Sequence, residues 1–271
     1  MLEKGIDMKA YYYQKDKWTE SDGLWEALGL DWRMRGAPYV ISFTGAGGKT
    51  SLIRHLAWEG RERGKKVLVV TTTHMFKPQR FGVFSKNRGE VRRMLERENI
   101  AVAGKEAGEL KITFVGNWFY EQICPMADLV LVEADGSRRL PVKVPGPNEP
   151  VVPKNSDMVL SVLGLSALGE PAEKLCFRAE RAEELVREHG RPDFKADGQW
   201  TFCPEDLTCL MQHGYLYPLR VKYPSIPVIP VFNQADSPET VALAKALFDG
   251  MRESRGIAGG NLRFDPCAEL F

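Results

Sequence analysis

Histidine is scarce in this 271-residue sequence, with 4 residues, and the 5 cysteines show no C-x-x-C spacing. Both shortages argue against a zinc ribbon or finger. The cysteines (Cys124, Cys176, Cys203, Cys209 and Cys267) are odd in number and scattered, so reduced thiols are expected rather than a disulfide framework. Charge of one sign is also lacking: 37 Lys and Arg oppose 36 Asp and Glu, for a net charge of +1. A general nucleic-acid binder shows a basic excess, so that class is set aside, although a local basic pocket remains open. No apolar run approaches the roughly 18 residues of a membrane span. The first residues, MLEKGIDMKAYYYQKDKW, contain no apolar core of a secretory signal. Repeats and low-complexity stretches are missing too, which removes solenoids and long linkers. The expectation is a cytoplasmic protein with no membrane or nucleic-acid partner.

What is present is an alternation of apolar strands and amphipathic helices. Tyr39–Thr44, Val67–Val70, Ile112–Val115, Asp128–Glu133, Asp157–Leu163 and Ile226–Phe232 read as strands. Lys49–Arg63, residues 87–98, Ala179–His189, Pro204–His213 and Ser237–Met251 read as helices. Such alternation predicts an α/β fold, a mostly parallel sheet flanked by helices. Residues 1–38 form a polar, aromatic-rich lead-in, and 39–271 the main domain, with a partly helical insertion at about 165–225.

Gly45-Ala46-Gly47-Gly48-Lys49-Thr50 sits between a predicted buried strand and a predicted helix, the context of a phosphate-binding loop. Glycines let the backbone approach phosphate closely, and the helix N-terminus adds favourable partial charge. Amides from Gly45 to Ser51 would cradle phosphates, Lys49 would neutralise them, and Thr50 would ligate Mg²⁺. The match covers only the second half of G-x-x-x-x-G-K-[ST], because Phe43 stands where the first glycine would fall. A dinucleotide-binding G-x-G-x-x-G is excluded by Thr50 at the third glycine.

An acidic partner follows at the end of Asp128–Glu133. Glu133 and Asp135 lie two apart and would face one side of an extended segment, one for the metal and one for an attacking water. Arg138, in Gly136-Ser137-Arg138-Arg139, is placed to stabilise developing negative charge or else is plain surface charge. Thr72 and Thr73 close the second strand, where hydroxyls can reach a γ-phosphate or merely reflect strand propensity. Asn233-Gln234-Ala235-Asp236 resembles the N-K-x-D motif of GTP-binding proteins, with Gln234 replacing lysine. Asp236 would read guanine and Asn233 would brace neighbouring loops.

Together, ISFTGAGGKTSL, VVTTTHMF, DLVLVEADGSRRLPVKVPGPNEPVVP and the late NQAD resemble the selenium-dependent molybdenum hydroxylase accessory proteins, the YqeC family. The resemblance runs from about Tyr39 to Asp236 and is densest at 41–50, 70–76 and 128–153. It implies a P-loop NTPase-like fold and a role in maturing molybdenum hydroxylases that carry labile selenium, with a client enzyme or cofactor-assembly protein as partner. The VEADG segment is also similar to the VEGAGG of dethiobiotin synthetases, which draws the metal role towards Glu133. Related assembly GTPases imply a homodimer.

Two functions stand at this point. The first is a slow GTP- or ATP-hydrolysing assembly factor with Mg²⁺, using Lys49, Asp135 and Arg138, with GTP favoured through Asp236. The second is an ATP-dependent small-molecule kinase or a dethiobiotin-synthetase-like ligase, with Lys143, Arg178 and the insertion forming an acceptor pocket.

Overall fold

The computed structural model describes residues 8–260 apart from 35, 37, 192–193 and 195–199. Cys267 lies outside the described residues. The core is a ten-stranded sheet with spatial order Lys17–Ser21, Lys9–Gln14, Arg255–Gly260, Val228–Asn233, Met158–Gly164, Tyr39–Gly45, Leu129–Glu133, Val67–Thr71, Ile100–Ala103 and Gly82–Val83. From Arg255–Gly260 to Gly82–Val83 every neighbouring pair is parallel. The protein thus has the α/β architecture expected of its strand–helix alternation.

Both faces of the sheet are covered, which explains why its strands are near-continuous apolar runs. Successive residues alternate between the two sides. Leu129 and Leu131 join Ile41 and Phe43 in one core with Leu52, Ile53 and Leu56 of the helix Lys49–Glu62. Val130 and Val132 face the opposite side with Val91, Leu95, Phe119 and Ile123 from the helices Arg88–Glu98 and Asn117–Ile123. Fully burying each such side chain contributes roughly 1.5–3 kcal/mol, so this layering dominates stability.

The helix Lys49–Glu62 is fitted closely to the sheet. A Cβ on its Gly60 would stand 2.7 Å from Val67 and 3.3 Å from the Trp25 ring. It ends where Gly64 turns left-handed and the Lys65 amide bonds back to the Gly60 carbonyl at 2.9 Å. The last helix, Pro238–Met251, begins with a reciprocal Ser237–Thr240 cap and a proline in its first turn.

The lead-in is more structured than its polarity suggests. Lys9–Gln14 pairs antiparallel with Arg255–Gly260, and Lys17–Ser21 continues the edge. Glu59, on the helix Lys49–Glu62, accepts the Leu24 and Trp25 amides at 3.0 and 2.6 Å, pinning the lead-in to that helix. Burial lifts the Glu59 carboxyl to about 7 against those two hydrogen bonds. The residues around Ile112 leave the main sheet: Lys111–Thr113 pairs with His74–Phe76 and Lys105–Glu106 in a small antiparallel sheet.

Within 165–225, Ala179–Leu185 continues as a wider π-helical turn, Val186–Gly190. Pro204–Cys209, a second π-helical stretch at Leu210–Leu216, and Tyr217–Lys222 follow as one rod. Leu207, Leu210, Met211 and Leu216 bury against Val159, Leu163 and Phe232 of the sheet. The insertion also contributes Cys176–Phe177, paired parallel with Val142–Lys143. Among the described residues all four cysteines are free. Burial raises each thiol, Cys176 and Cys203 to about 12 and Cys209 to about 11, so none is a ready thiolate.

Candidate functional site

The strands of the parallel region end together. Gly45, Thr71, Glu133, Gly164 and Asn233 terminate neighbouring strands, the place where open α/β sheets bind ligands. At this edge the chain turns from Tyr39–Gly45 into the helix Lys49–Glu62 through Ala46, Gly47 and Gly48.

The glycines are required by geometry. Gly45 and Gly47 have φ of +94° and +75°, and Gly48 reaches +109°. A Cβ would come within 2.1 Å of the Val162 carbonyl at Gly45 and within 2.3 Å of the Gly164 amide at Gly47. No side chain fits either place without moving backbone. Ala46 tolerates its methyl and sends its amide to the Val162 carbonyl at 2.8 Å. Phe43, at the missing first glycine, is a buried core residue of the strand.

Lys49 is almost wholly buried. Its ammonium sits 3.1 Å from Asp135 Oδ1 and bonds the Gly45 carbonyl. Asp135 is fully buried and accepts the Gly45 amide at 3.1 Å. Its other oxygen lies 3.2 Å from Lys143, which is itself completely buried. Lys143 goes on to Glu149 at 2.9 Å, and Glu149 to Arg178 at 2.8 Å. Charges of alternating sign therefore run from the glycine loop into the insertion. Burial works against ionisation of Glu149, but Lys143, the Gly146 amide and Arg178 hold it below its usual range. Removing Asp135 would take from the buried Lys49 ammonium the carboxylate it pairs with, at a cost of roughly 3–5 kcal/mol, whereas removing Lys49 leaves Asp135 paired with Lys143.

Thr50 donates its hydroxyl to Glu133 Oε2 at 2.9 Å. Burial pushes the Glu133 carboxyl above its ordinary range, opposed chiefly by the charge of Lys49 and the Thr50 hydrogen bond. A hydroxyl at the first helical turn and a carboxylate from the neighbouring strand thus converge, a donor set suited to a hard cation. Nearby, the Thr73 hydroxyl is buried without a hydrogen-bond partner among the described residues, whereas Thr72 spends its hydroxyl on the Val151 carbonyl at 2.9 Å. The first helical amides, through Ser51, have no intrahelical acceptors by construction.

Asn233 touches the loop directly, its amide donating to the Gly47 carbonyl at 2.7 Å. Gln234 takes a left-handed φ of +69° and accepts the Ser166 amide at 3.2 Å. Asp236 is half-buried in the turn before Pro238. Arg138 lies in the exposed turn after Asp135, its guanidinium 4.3 Å from the Phe177 ring centre. The turn rests on the loop through the Leu140 carbonyl, which accepts the Gly47 amide at 3.1 Å.

The structure therefore gathers Gly45 through Ser51, Glu133, Asp135 and Asn233 in one place. Lys143 and Glu149, as partners that extend the Lys49–Asp135 pair, were not readable from spacing. They lie in the loose stretch VKVPGPNEP, and nothing local says that both are buried.

Strand, glycine turn, lysine–threonine and flanking acidic strand define a P-loop-type α/β protein. Residues 41–180 match the family described as YqeC protein. The chain belongs to the YqeC family. The uncharacterized protein YqeC of Escherichia coli (strain K12) is 36% identical over 149 residues, covering 53% of this chain and 58% of that relative's own length. A solved structure of the signal recognition particle 54 kDa protein from Aeropyrum pernix K1, in complex with GDP, aligns over 88% of this chain and 46% of its own. That alignment has 16% identity and a TM-score of 0.34. Among the described residues, no helix is long and apolar enough to cross a membrane.

Proposed function

We propose that this protein binds a nucleoside triphosphate with Mg²⁺, prefers GTP to ATP, hydrolyses it slowly, and serves as a cytoplasmic accessory factor in maturing selenium-dependent molybdenum hydroxylases. The observation that carries the nucleotide reading is the Thr50–Glu133 hydrogen bond, set beside buried Lys49 at the start of the helix. Thr50 and Glu133 would hold the metal, which when bound supplies charge neutralisation at phosphate oxygens. The amides of Gly48 to Ser51 and the ammonium of Lys49 would hold phosphates.

Lys49 reaches a phosphate by leaving Asp135 and the Gly45 carbonyl. Asp135 then keeps Lys143 and the Gly45 amide, so its charge is not stranded by the exchange. This retained pairing lowers the cost of engaging the ligand. In this reading Asp135 orients the attacking water only after Lys49 has moved. Thr73 brings an unsatisfied hydroxyl to the same edge. Arg138 approaches the reacting phosphate when its turn leaves the loop. The maturation role rests on family membership, and a client molybdoenzyme would be the partner that completes a slow site.

The guanine preference rests on Asn233 and Asp236. Calorimetric titration with Mg·GTP and Mg·ATP tests it. GTP is expected to bind at least about tenfold tighter, and Asp236→Asn to weaken GTP selectively. Equal affinities, with no selective effect of the variant, would remove base readout. ATP preference would turn the assignment to the second reading, an ATP-dependent small-molecule kinase or ligase. That reading is favoured by the cleft beside Arg138 and Arg178, which is large enough for an acceptor.

A further inference from the structure

The cleft beside the phosphate loop has a lining of mixed charge. It holds about 610 Å³, within the ordinary range of small-molecule sites. Part of the lining is basic and aromatic. Arg138 and Arg178 each place a guanidinium 4.3 Å from the Phe177 ring centre. Trp200 supplies a second aromatic surface. Three carboxylates, Glu173, Glu180 and Glu183, complete the charged lining.

The two arginines are held differently. Arg178 is anchored, with Nη1 donating to the Val144 carbonyl and to Glu149 at 2.8 Å each. Arg138 makes no hydrogen bond or ion pair among the described residues, and only its stacking on Phe177 fixes it. Its backbone is held left-handed at φ +54°, a conformation disfavoured for a side chain of this size. Stacking orients a guanidinium while leaving its in-plane N–H groups available to an oxyanion.

The floor is built rather than accidental. Phe177 is set in register with buried Lys143 through the parallel pair Val142–Lys143 and Cys176–Phe177. Tyr215, fully buried, donates to the Lys143 carbonyl at 3.1 Å and ties the insertion to that strand. Cys176 forms an apolar, protonated part of the wall, burial and Glu180 holding its thiol at about 12. Of the three carboxylates, Glu183 is paired with Arg187, while Glu173 and Glu180 have no ion-pair partner among the described residues.

We infer that this cleft is a second ligand site for a small planar molecule with an oxyanion at one end and N–H donors at the other. The oxyanion lies on the fork of Arg138 and Arg178, the planar body passes along Phe177 and Trp200, and the N–H edge meets Glu173 and Glu180. Charge-assisted hydrogen bonds at both ends fix the orientation, and the aromatic surfaces supply shape selectivity. The inference stands on the cleft alone and does not need the nucleotide reading.

The probe is 4-guanidinobenzoate, whose carboxylate does not mimic a polyphosphate, titrated into the full chain by calorimetry. Saturable binding is expected, with benzoate at least tenfold weaker because it lacks the donor end. Arg138→Ala should weaken the probe about tenfold or more, and Glu180→Gln severalfold, and both positions are exposed enough to leave the fold intact. Phenyl phosphate, titrated beside it, distinguishes a phosphate-bearing ligand from a carboxylate by which binds tighter. Absence of saturable 4-guanidinobenzoate binding, or an unchanged affinity in Arg138→Ala, overturns the inference. Lys49→Ala separates the two sites. Probe binding that persists there supports an independent cleft, and probe binding lost there places the probe in the phosphate loop and overturns it. Wild type that binds the probe but no nucleotide supports this inference while contradicting the nucleotide reading.

Discussion

The phosphate loop and the turn that lies against it solve the same backbone problem in opposite ways. Both contain left-handed residues. In the loop these are Gly45 and Gly47, buried, and half-buried Gly48, braced by Asp135, Asn233 and the carbonyls of Val162 and Leu140. In the turn they are Arg138 and Arg139, exposed and steadied by stacking on Phe177 and Phe76 at 4.3 and 4.2 Å. A left-handed non-glycine residue costs roughly 1–2 kcal/mol. The loop is therefore free of left-handed strain and the turn carries it, the two being joined by the Leu140–Gly47 hydrogen bond. Under the proposed function, a firmly held loop beside a strained turn would suit a ligand-dependent switch.

The contrast is broken most severely inside the loop. Gly45→Ala adds a methyl group 2.1 Å from the Val162 carbonyl at a φ of +94°. We expect a loss of roughly 3 kcal/mol or more from strain and overpacking together, read as a lowered midpoint in denaturant melts. An unchanged midpoint would show that the loop is not held as described.

A smaller effect sharpens the proposed metal site. Glu133 is raised above its ordinary 4.5 by burial, and a cation needs its carboxylate form. Binding of Mg·nucleotide should therefore release a proton, and affinity should fall as pH is lowered into the raised titration range. Glu133→Gln should weaken Mg²⁺-dependent binding and abolish that pH dependence. Calorimetry in buffers of different ionisation enthalpy measures the proton count, and a count of zero would separate Glu133 from the metal.

The smallest effect belongs to the turn. Arg139→Gly relieves left-handed strain but gives up the Phe76 stacking and adds unfolded-state entropy. These contributions are each of order 1 kcal/mol, so the net change in stability should stay within about 1 kcal/mol. A loss comparable to that of Gly45→Ala would make the turn as rigid as the loop and remove the distinction.

The glycine loop and its acidic neighbour are legible in the sequence because their determinants are local. Glycines at Gly45, Gly47 and Gly48, the Lys49-Thr50 pair and an apolar strand ending in Glu133 all sit within short windows whose periodicity is visible. The lead-in was harder, because Lys9–Gln14 and its neighbour Lys17–Ser21 join the main sheet through Arg255–Gly260, far along the chain. Glu59 capping the Leu24 and Trp25 amides is equally non-local. The Ile112 segment carried the β-branched character of a core strand, yet it pairs with His74–Phe76 outside the main sheet. Propensity gives strand character, whereas partners decide which sheet. Lys143 looked like a pocket residue, and its full burial follows from Asp135, Glu149 and Tyr215 converging from three separate segments.

The central claim is that the amides of Gly48 to Ser51 and the ammonium of Lys49 receive the phosphates of a nucleotide, the Gly45, Ala46 and Gly47 amides expected for that role being bonded to Asp135, Val162 and Leu140. Calorimetric titration of wild type and Lys49→Ala with Mg·GTP tests it most directly. Wild type should bind saturably, and the variant, still cooperatively folded in a thermal melt, should lose at least about a hundredfold in affinity, as expected for a charge-assisted contact in a buried site. A folded Lys49→Ala protein that binds Mg·GTP as tightly as wild type would contradict the account.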